Sequence, residues 1–218
     1  MAKKILAICA ALVAFAVVPA MASASPELQS SAGVKVGTGT GITAVQNSDS
    51  VLTTSSGNIT CTSNHMSGEL VTNSGKLIEG TIKSASFTGA GTSGRCKSTI
   101  NVLGSEVQFQ VTTENLHWCL SSSALGTWSL RGGACTAAPS NLKFTLHGFF
   151  PGGGSAGSCT YERASVTGTN NTLTSPLILT TGANQTFTRV SGTICPSAGT
   201  LDASFKVTTS TGGELKVV

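Results

Sequence analysis

The cysteines are the sequence feature that most constrains how this chain can fold. The 218-residue sequence contains seven, of which Cys9 lies in an apolar N-terminal segment. The other six are an even number, which indicates three disulfides if the chain is exported, because disulfides persist in oxidising compartments. These six are Cys61, Cys96, Cys119, Cys135, Cys159 and Cys195.

The first 24 residues predict export. Two lysines precede an apolar run over residues 5–18, and residues 22–24 fit the small-x-small pattern of a signal peptidase site. Residues 20–22 offer a second cleavage position. A membrane anchor would need roughly 20 apolar residues, whereas this run is shorter and ends at Pro19. We therefore expect a secreted protein, extracellular or on the cell surface, that begins at Ser25 and has no membrane span after signal cleavage.

Cysteine spacing favours sequential pairing as the simplest of the many pairings that six cysteines allow. The two outer pairs would enclose 35 and 36 residues, and the middle pair would enclose 16. Each bridge would contribute about 3 to 4 kcal/mol in the loop-entropy model. Metal binding is the alternative, but structural zinc sites use close ligand pairs such as C-x2-C, and the chain has no CxxC or HxxxH. We expect neither a metal site nor a cofactor.

Alternating apolar and polar residues predict an all-β fold. The chain has 26 glycines and only 10% charged residues, a composition typical of short strands joined by tight turns. Alternation is clear over residues 106–112, 142–147 and 201–207. It is imperfect after Ile82, because Phe87 falls in the opposite phase.

The predicted architecture is a disulfide-stapled antiparallel β-sandwich. A mature chain of about 190 residues suffices for one such domain, which we place at residues 34–218. Residues 25–33 are small and polar, and we expect a flexible mature N-terminus there.

Two segments of the chain begin alike, which suggests two similar meander units. Cys61-Thr62 is matched by Cys159-Thr160, and Phe87 and Cys96 are matched by Phe187 and Cys195. A duplicated β-unit would explain the match, with the copies packed face to face around the two phenylalanines and the tryptophans. Coincidence is the alternative, because a chain rich in Ser and Thr produces such matches easily.

The two tryptophans are the candidate ligand-binding residues. Trp118 precedes Cys119, and a tryptophan beside a disulfide usually packs in the core. The functional alternative is a platform for a sugar ring or an apolar ligand, formed by Trp118 or Trp128, and it requires exposure of the ring.

The longer motifs carry a family resemblance. The runs GTGTGITAVQNSDSVLTTSSGNITCTSNHMSGELVTN, IKSASFTGAGTSGRC, NLHWCL and CPSAGTLDASFKVTTSTGGELKVV resemble a group of small secreted bacterial disulfide-containing proteins without assigned function. More distantly, residues 58–120 are similar to the protein activator of alkane oxidation family. That resemblance implies action outside the cell, at surfaces or apolar interfaces, and it brings no catalytic residues.

Several function classes are disfavoured by the sequence. Loss of the two signal-peptide lysines lowers the formal charge from +4 to about +2, far from the basic surface that nucleic acid binding requires. The nine acidic residues occur singly, and neither GxSxG nor HExxH is present, so no catalytic residues are assigned.

The sequence therefore predicts a non-enzymatic secreted or envelope-associated protein that acts through surface interactions. We expect its partner to be the cell envelope, an apolar interface or an extracellular polymer. Two alternatives stay open. The first is an extracellular carrier of an apolar or carbohydrate ligand with a Trp-lined cleft, and the second is a secreted hydrolase.

Overall fold

The computed structural model describes residues 25–218, so the expected signal peptide and Cys9 lie outside the described residues. The described part consists of strands, turns and one 3-10 turn at Thr92–Gly94. The strands are β1 (Leu28–Ser30), β2 (Gly41–Thr54), β3 (Gly57–Cys61), β4 (Ser63–Asn73), β5 (Ile78–Thr88), β6 (Lys97–Ser98), β7 (Asn101–Val102), β8 (Ser105–Glu106), β9 (Gln108–Glu114), β10 (Trp118–Ser122), β11 (Thr127–Gly132), β12 (Leu142–Phe149), β13 (Ser155–Arg163), β14 (Ser165–Asn170), β15 (Leu177–Thr181), β16 (Thr186–Ser191), β17 (Ala198–Thr209) and β18 (Leu215–Val217).

The strands form one closed sheet that the chain follows up and down. It has eight long strands, and six of them each consist of two consecutive strands of the chain. In chain order the eight are β2, β3 plus β4, β5 plus β6, β9 plus β10, β11 plus β12, β13 plus β14, β15 plus β16, and β17. Each long strand pairs antiparallel with the next, and β17 returns to pair with β2. Between β6 and β9 the pairing is made by two backbone hydrogen bonds that join Cys96 and Phe109. The main sheet therefore has no free edge along its circumference.

Six of the eight long strands are interrupted, which divides the closed sheet into two halves. The tryptophan half contains β4, β5, β10, β11, β14 and β15, with both tryptophans. The disulfide half contains β3, β6, β9, β12, β13 and β16, and two of the three disulfides lie there. Only β2 and β17, with 14 and 12 residues, run through both halves.

At one interruption, a buried side chain holds the bend between β3 and β4. The Asn64 amide donates hydrogen bonds to Gln46 Oε1 and Ser50 Oγ at 2.8 Å and to the Cys61 carbonyl at 3.2 Å. These acceptors lie where β2 passes from β4 to β3 as its pairing partner. Asn64 therefore connects the Cys61 carbonyl with the side chains of Gln46 and Ser50 at the point where β2 changes its pairing partner.

The all-β prediction and the three disulfides are confirmed. The disulfides join Cys61 to Cys96, Cys119 to Cys135 and Cys159 to Cys195, which is the sequential pairing. The sheet differs from a two-sheet sandwich because β2 and β17 pair along most of their length, from Ile42 with Thr209 to Thr54 with Gly199. This long ladder closes what would otherwise be two open sheets.

Residues 25–33 differ from the flexible segment that their composition suggested. Leu28–Ser30 forms β1 and pairs with β18, while Pro26 and Leu28 are buried. The Asn73 side chain donates to the Leu28 carbonyl and accepts from its amide. Together β1 and β18 cover the end of the tryptophan half, since Leu215 and Val217 are buried too.

A β-bulge explains the phase change before Phe87. Ser67 pairs with Ser84 and Gly68 pairs with Ile82, so Lys83 is an extra residue in β5. Beyond it the inward positions shift by one residue, and Phe87 packs against the core. The imperfect alternation in the sequence is thus the signature of the bulge.

The two similar segments follow similar paths, but their phenylalanines are not equivalent. In the first segment, β3 continues into β4 and pairs with β6; in the second, β13 continues into β14 and pairs with β16. Phe87, however, lies on β5, whereas Phe187 lies on β16. Both rings face the same interior, together with the tryptophans.

Within residues 25–218, no helix has the length and apolar character needed to span a membrane.

Candidate functional site: the interior of the closed sheet

Strand alternation turns both tryptophans into the interior. Trp118 on β10 pairs with Gly132, and Trp128 on β11 pairs with Gly168, so each indole lies across the sheet from a glycine. At Gly168 the missing Cβ leaves room for the Trp128 ring, whereas a Cβ at Gly132 would first meet Asn141 and Ser140. Trp118 is 5% exposed and Trp128 is 6% exposed. Neither ring forms a platform on the outer surface.

The protein backbone satisfies the polar edge of each indole. Trp118 Nε1 donates to the Glu114 carbonyl at 3.2 Å. Trp128 Nε1 donates to the Thr169 carbonyl at 2.9 Å and to the Thr180 carbonyl at 3.1 Å. Each ring therefore offers its carbon faces to the interior and keeps its N–H in the wall.

A cavity of about 110 Å³ lies between these rings and the disulfide half. Interiors of globular proteins rarely hold voids much larger than a water molecule. An apolar cavity of about 150 Å³ is known to stay dry and to bind benzene. The void in this protein approaches that size. Its aromatic wall consists of Phe87, Trp118, Trp128, Phe144, Phe187 and Phe205.

The few polar side chains in the cavity wall have hydrogen-bond or ion-pair partners within the protein. Ser50 Oγ accepts from the Asn64 amide. Thr181 Oγ1 donates to the Ala203 carbonyl at 3.2 Å. The Lys143 ammonium lies 3.6 Å from the Glu162 carboxylate, and both side chains are partly exposed. The wall therefore provides an apolar surface with little hydrogen-bonding capacity.

A second cavity of about 60 Å³ lies in the tryptophan half. It reaches the end covered by β1 and β18, where Leu28 and Val217 contribute to its wall. Four side chains line both cavities and so form the partition between them: Ile82, Leu120, Trp128 and Leu179.

The three disulfides differ in their relation to the cavity. Cys61 lines the larger cavity, so the Cys61–Cys96 bridge is part of its wall. Cys159 and Cys195 are buried in the core of the disulfide half. Cys119 follows the inward-facing Trp118 and takes the opposite face, where the bridge to Cys135 attaches the segment 133–141 to the outside of the sheet.

The single tyrosine of the chain stands beside the cavity wall. Tyr161 stacks on Phe144 with ring centroids 5.7 Å apart, and Phe144 meets Phe187 edge-on at 5.1 Å. The Tyr161 hydroxyl donates to the Pro196 carbonyl at 2.7 Å. Burial raises the pKa of this phenol above 10.0, although the nearby Arg189 opposes the shift.

One group of potential metal ligands occurs among the described residues, and a disulfide is part of it. Among residues 25–218, the one group of potential metal ligands comprises Glu79, Cys119 and Cys135, and its two sulfur atoms are bonded to each other. A disulfide sulfur is not the thiolate ligand that zinc requires.

Large apolar side chains exposed on the outer surface are scattered. In the described part of the chain they are Val34, Val45, Leu103, Leu173 and Val190, which lie on five separate segments. Single exposed apolar residues are normal on soluble proteins. They do not outline an interaction surface.

Sequence reasoning selected the tryptophans but missed most of the cavity wall. Phe144 and Phe205 lie within the strands predicted over 142–147 and 201–207, and their alternation marks them as inward-facing. The alternation could not show that these strands face one another, because closure of the sheet brings together residues far apart in the chain.

Comparisons with models of known protein families, with curated proteins and with solved structures find no match. The three disulfides by themselves indicate an oxidising environment.

Proposed function

We propose that this protein is an extracellular carrier that binds a small apolar ligand inside its closed sheet. The observation that carries the proposal is the 110 Å³ aromatic-lined cavity between the two halves. Closed sheets of eight strands either fill their interior with side chains or hold one small ligand. The cavity indicates the second use.

The size of the cavity limits the ligand. A void somewhat smaller than one that accommodates benzene suits about five or six non-hydrogen atoms. A compact hydrocarbon, a small aromatic ring or a short alkyl chain meets that limit.

The chemistry of the wall favours an apolar ligand over a carbohydrate. A sugar brings several hydroxyl groups, and burying them without hydrogen bonds costs free energy for each group. The hydroxyls of Ser50 and Thr181 already have partners in the protein. Aromatic and aliphatic carbons make up nearly all of the remaining wall.

The carrier proposal also explains the positions of Trp118 and Trp128 without an exposed platform. Each indole N–H is hydrogen-bonded to backbone, so each ring contributes shape and apolar area to the wall. The absence of a contiguous exposed apolar patch among the described residues gives no comparable support to a surface-acting protein. Secretion and a soluble extracellular role are part of the proposal and rest on the N-terminal segment and the disulfides.

Ligand binding to the oxidised protein tests the proposal directly. Benzene and hexane would be titrated while the thermal midpoint and the tryptophan fluorescence are followed. A ligand at a hundredfold excess over its Kd stabilises the folded state by about 2.7 kcal/mol, which corresponds to a rise of roughly 5–10 °C in a chain of this size.

A matched pair of variants locates the binding site. Ala44 lines the cavity and Val45, the next residue on β2, faces outward and is 36% exposed. Ala44→Leu fills the cavity and should abolish the ligand-dependent rise, whereas Val45→Leu should preserve it. No rise in the unsubstituted protein, or an equal rise in both variants, would contradict binding in the interior.

A further inference from the structure

The inward face of β14 places a polar side chain in an otherwise apolar interior. Residues 166, 168 and 170 share this face because side chains alternate along a strand. Val166 lines the larger cavity, Gly168 lies against Trp128, and Asn170 lines the smaller cavity. Asn170 is 9% exposed, so its amide is removed from solvent.

The side-chain nitrogen of Asn170 has a hydrogen-bond partner, whereas its side-chain oxygen has none within the described residues. Its amide nitrogen donates to the Thr127 carbonyl at 3.1 Å. Its backbone N–H donates to the Gly126 carbonyl at 3.2 Å, which fixes the residue to the turn before β11. Asn170 Oδ1, however, is a buried acceptor without a hydrogen-bond partner in the protein. Such groups are rare in native interiors and generally bind a water or a ligand.

The smaller cavity has three other polar residues. Ser122 Oγ donates to the Ala124 carbonyl at 3.1 Å. Glu69 forms a surface ion pair with Lys83 at 2.8 Å. Ser121 is half-buried, and its hydroxyl is not among the buried atoms without a partner. Asn170 Oδ1 is therefore the free buried acceptor of this cavity within the described residues.

The partition between the two cavities consists of side chains. Trp128 is held by two backbone hydrogen bonds, whereas Ile82, Leu120 and Leu179 are aliphatic and can change rotamer. A slender ligand can therefore occupy both cavities if these aliphatic side chains move aside. A lone water would fit the smaller cavity poorly, because an ordered buried water needs two to four polar partners.

We propose that Asn170 Oδ1 accepts a hydrogen bond from a hydroxyl group at one end of the ligand, whose apolar body extends beside Trp128 into the larger cavity. The ligand class is thus a small amphiphile with a single hydrogen-bond donor, such as a short primary alcohol. This inference rests on the proposed carrier function and specifies its ligand.

Three ligands with the same number of non-hydrogen atoms test the inference on the unsubstituted protein. They are 1-pentanol, its isomer 1-methoxybutane, and hexane. The ether has an oxygen but cannot donate, and it loses less hydration than the alcohol on entering an apolar site. We expect 1-pentanol to bind about tenfold tighter than the ether, as one net hydrogen bond allows.

The Asn170→Leu variant supplies a second test, with Ser122→Ala as a control in the same cavity. Asn170→Leu should weaken 1-pentanol binding about tenfold and leave hexane binding unchanged or stronger, while Ser122→Ala should change neither. The comparison of alcohol with ether remains decisive if the leucine variant does not fold.

The outcomes separate the two proposals. If hexane binds and 1-pentanol binds no tighter than the ether, the role of Asn170 is overturned and the carrier function stands. If Asn170→Leu weakens hexane and 1-pentanol equally, Asn170 has only a structural role and the inference fails. If none of the three ligands binds, the carrier function fails, and the inference fails with it.

Discussion

Trp128 and Gly168 face each other across the pair of strands β11 and β14, and a Cβ atom on Gly168 would lie 2.6 Å from Trp128 Cε2. The Thr180 carbonyl oxygen lies even closer to that position, so this backbone oxygen and the indole together occupy the space that any other residue at 168 would need. We expect Gly168→Ala to destabilise the protein by about 1–3 kcal/mol, because overpacking forces the ring or the backbone to shift. Urea unfolding would measure the loss.

The matched control for this prediction is Gly152→Ala. A Cβ at Gly152 meets nothing within 4 Å, so its effect should stay within about 0.5 kcal/mol. Equal effects of the two substitutions would show that glycine content, and not the close contacts with Trp128 and the Thr180 carbonyl, matters at position 168.

The bulge at Lys83 predicts that β5 tolerates the loss of this residue. After deletion of Lys83, Ser84 follows Ile82 opposite Ser67 and Gly68, so Ala85 and Phe87 keep their inward positions in a regular ladder and the protein should still fold. Lys83→Ala keeps the bulge and removes only a surface ion pair with Glu69, so it should cost about 0–1 kcal/mol. Circular dichroism and urea unfolding of both variants would decide, and an unfolded deletion variant would contradict the assignment of Lys83 as the extra residue.

The disulfide between Cys119 and Cys135 should affect stability without affecting the cavity. It closes a segment of 16 residues on the outside of the sheet, and its loss in the double alanine variant should cost about 3 kcal/mol. Benzene affinity should be unchanged, since neither residue lines the larger cavity. The double alanine variant of Cys61 and Cys96 is the comparison, because Cys61 belongs to the wall and its loss should alter affinity as well as stability.

The raised pKa of Tyr161 predicts that the folded protein loses stability in alkaline solution. Burial raises its pKa in the folded state above the ordinary 10.0, so the unfolded chain releases this proton first. Its contribution to stability is therefore complete below pH 10 and falls as the pH rises through and beyond that value. Since Tyr161 is the only tyrosine, the ultraviolet absorbance of phenolate reports it alone. The native protein should show this absorbance at higher pH than the protein in denaturant.

Tyr161→Phe provides the control for the alkaline titration. It should remove both the phenolate signal and this part of the pH dependence. A native titration at the ordinary pKa would show that the hydroxyl reaches solvent and is not held by Pro196.

Local patterns in the sequence predict the strands well because alternation directly reflects the two faces of a strand. The strands over 142–147 and 201–207 and the sequential disulfides are recovered in this way. The predicted strand over 106–112 is divided at Val107, which is fully buried and donates its N–H to Ile100. Such a break depends on a tertiary contact that local alternation does not encode.

Long-range closure and the cavity inside the sheet could not be predicted in the same way. The Asn47 side chain donates to Ser204 Oγ across 157 residues of sequence, and nothing in either strand identifies the other as its partner. The sequence around Asn170 gives no sign of a buried polar residue either. In a chain rich in Ser, Thr and Asn, its sequence context resembles a turn. Its importance follows only from burial and from a missing hydrogen-bond partner, which are properties of the folded chain.

The ladder between β2 and β17 makes the cavity depend on two strands that lie far apart in the sequence. Asn47 on β2 and Ser204 on β17 are 157 residues apart, so ribosomal synthesis completes the wall of the cavity only when it reaches β17. Closing contacts at such separations has an entropic cost, and proteins dominated by them fold slowly. A nascent fragment that lacks β17 can form hairpins, but it has no enclosed interior. A ligand of the cavity can therefore act as a template only for a chain that already contains β17, at the ladder where its two distant strands meet.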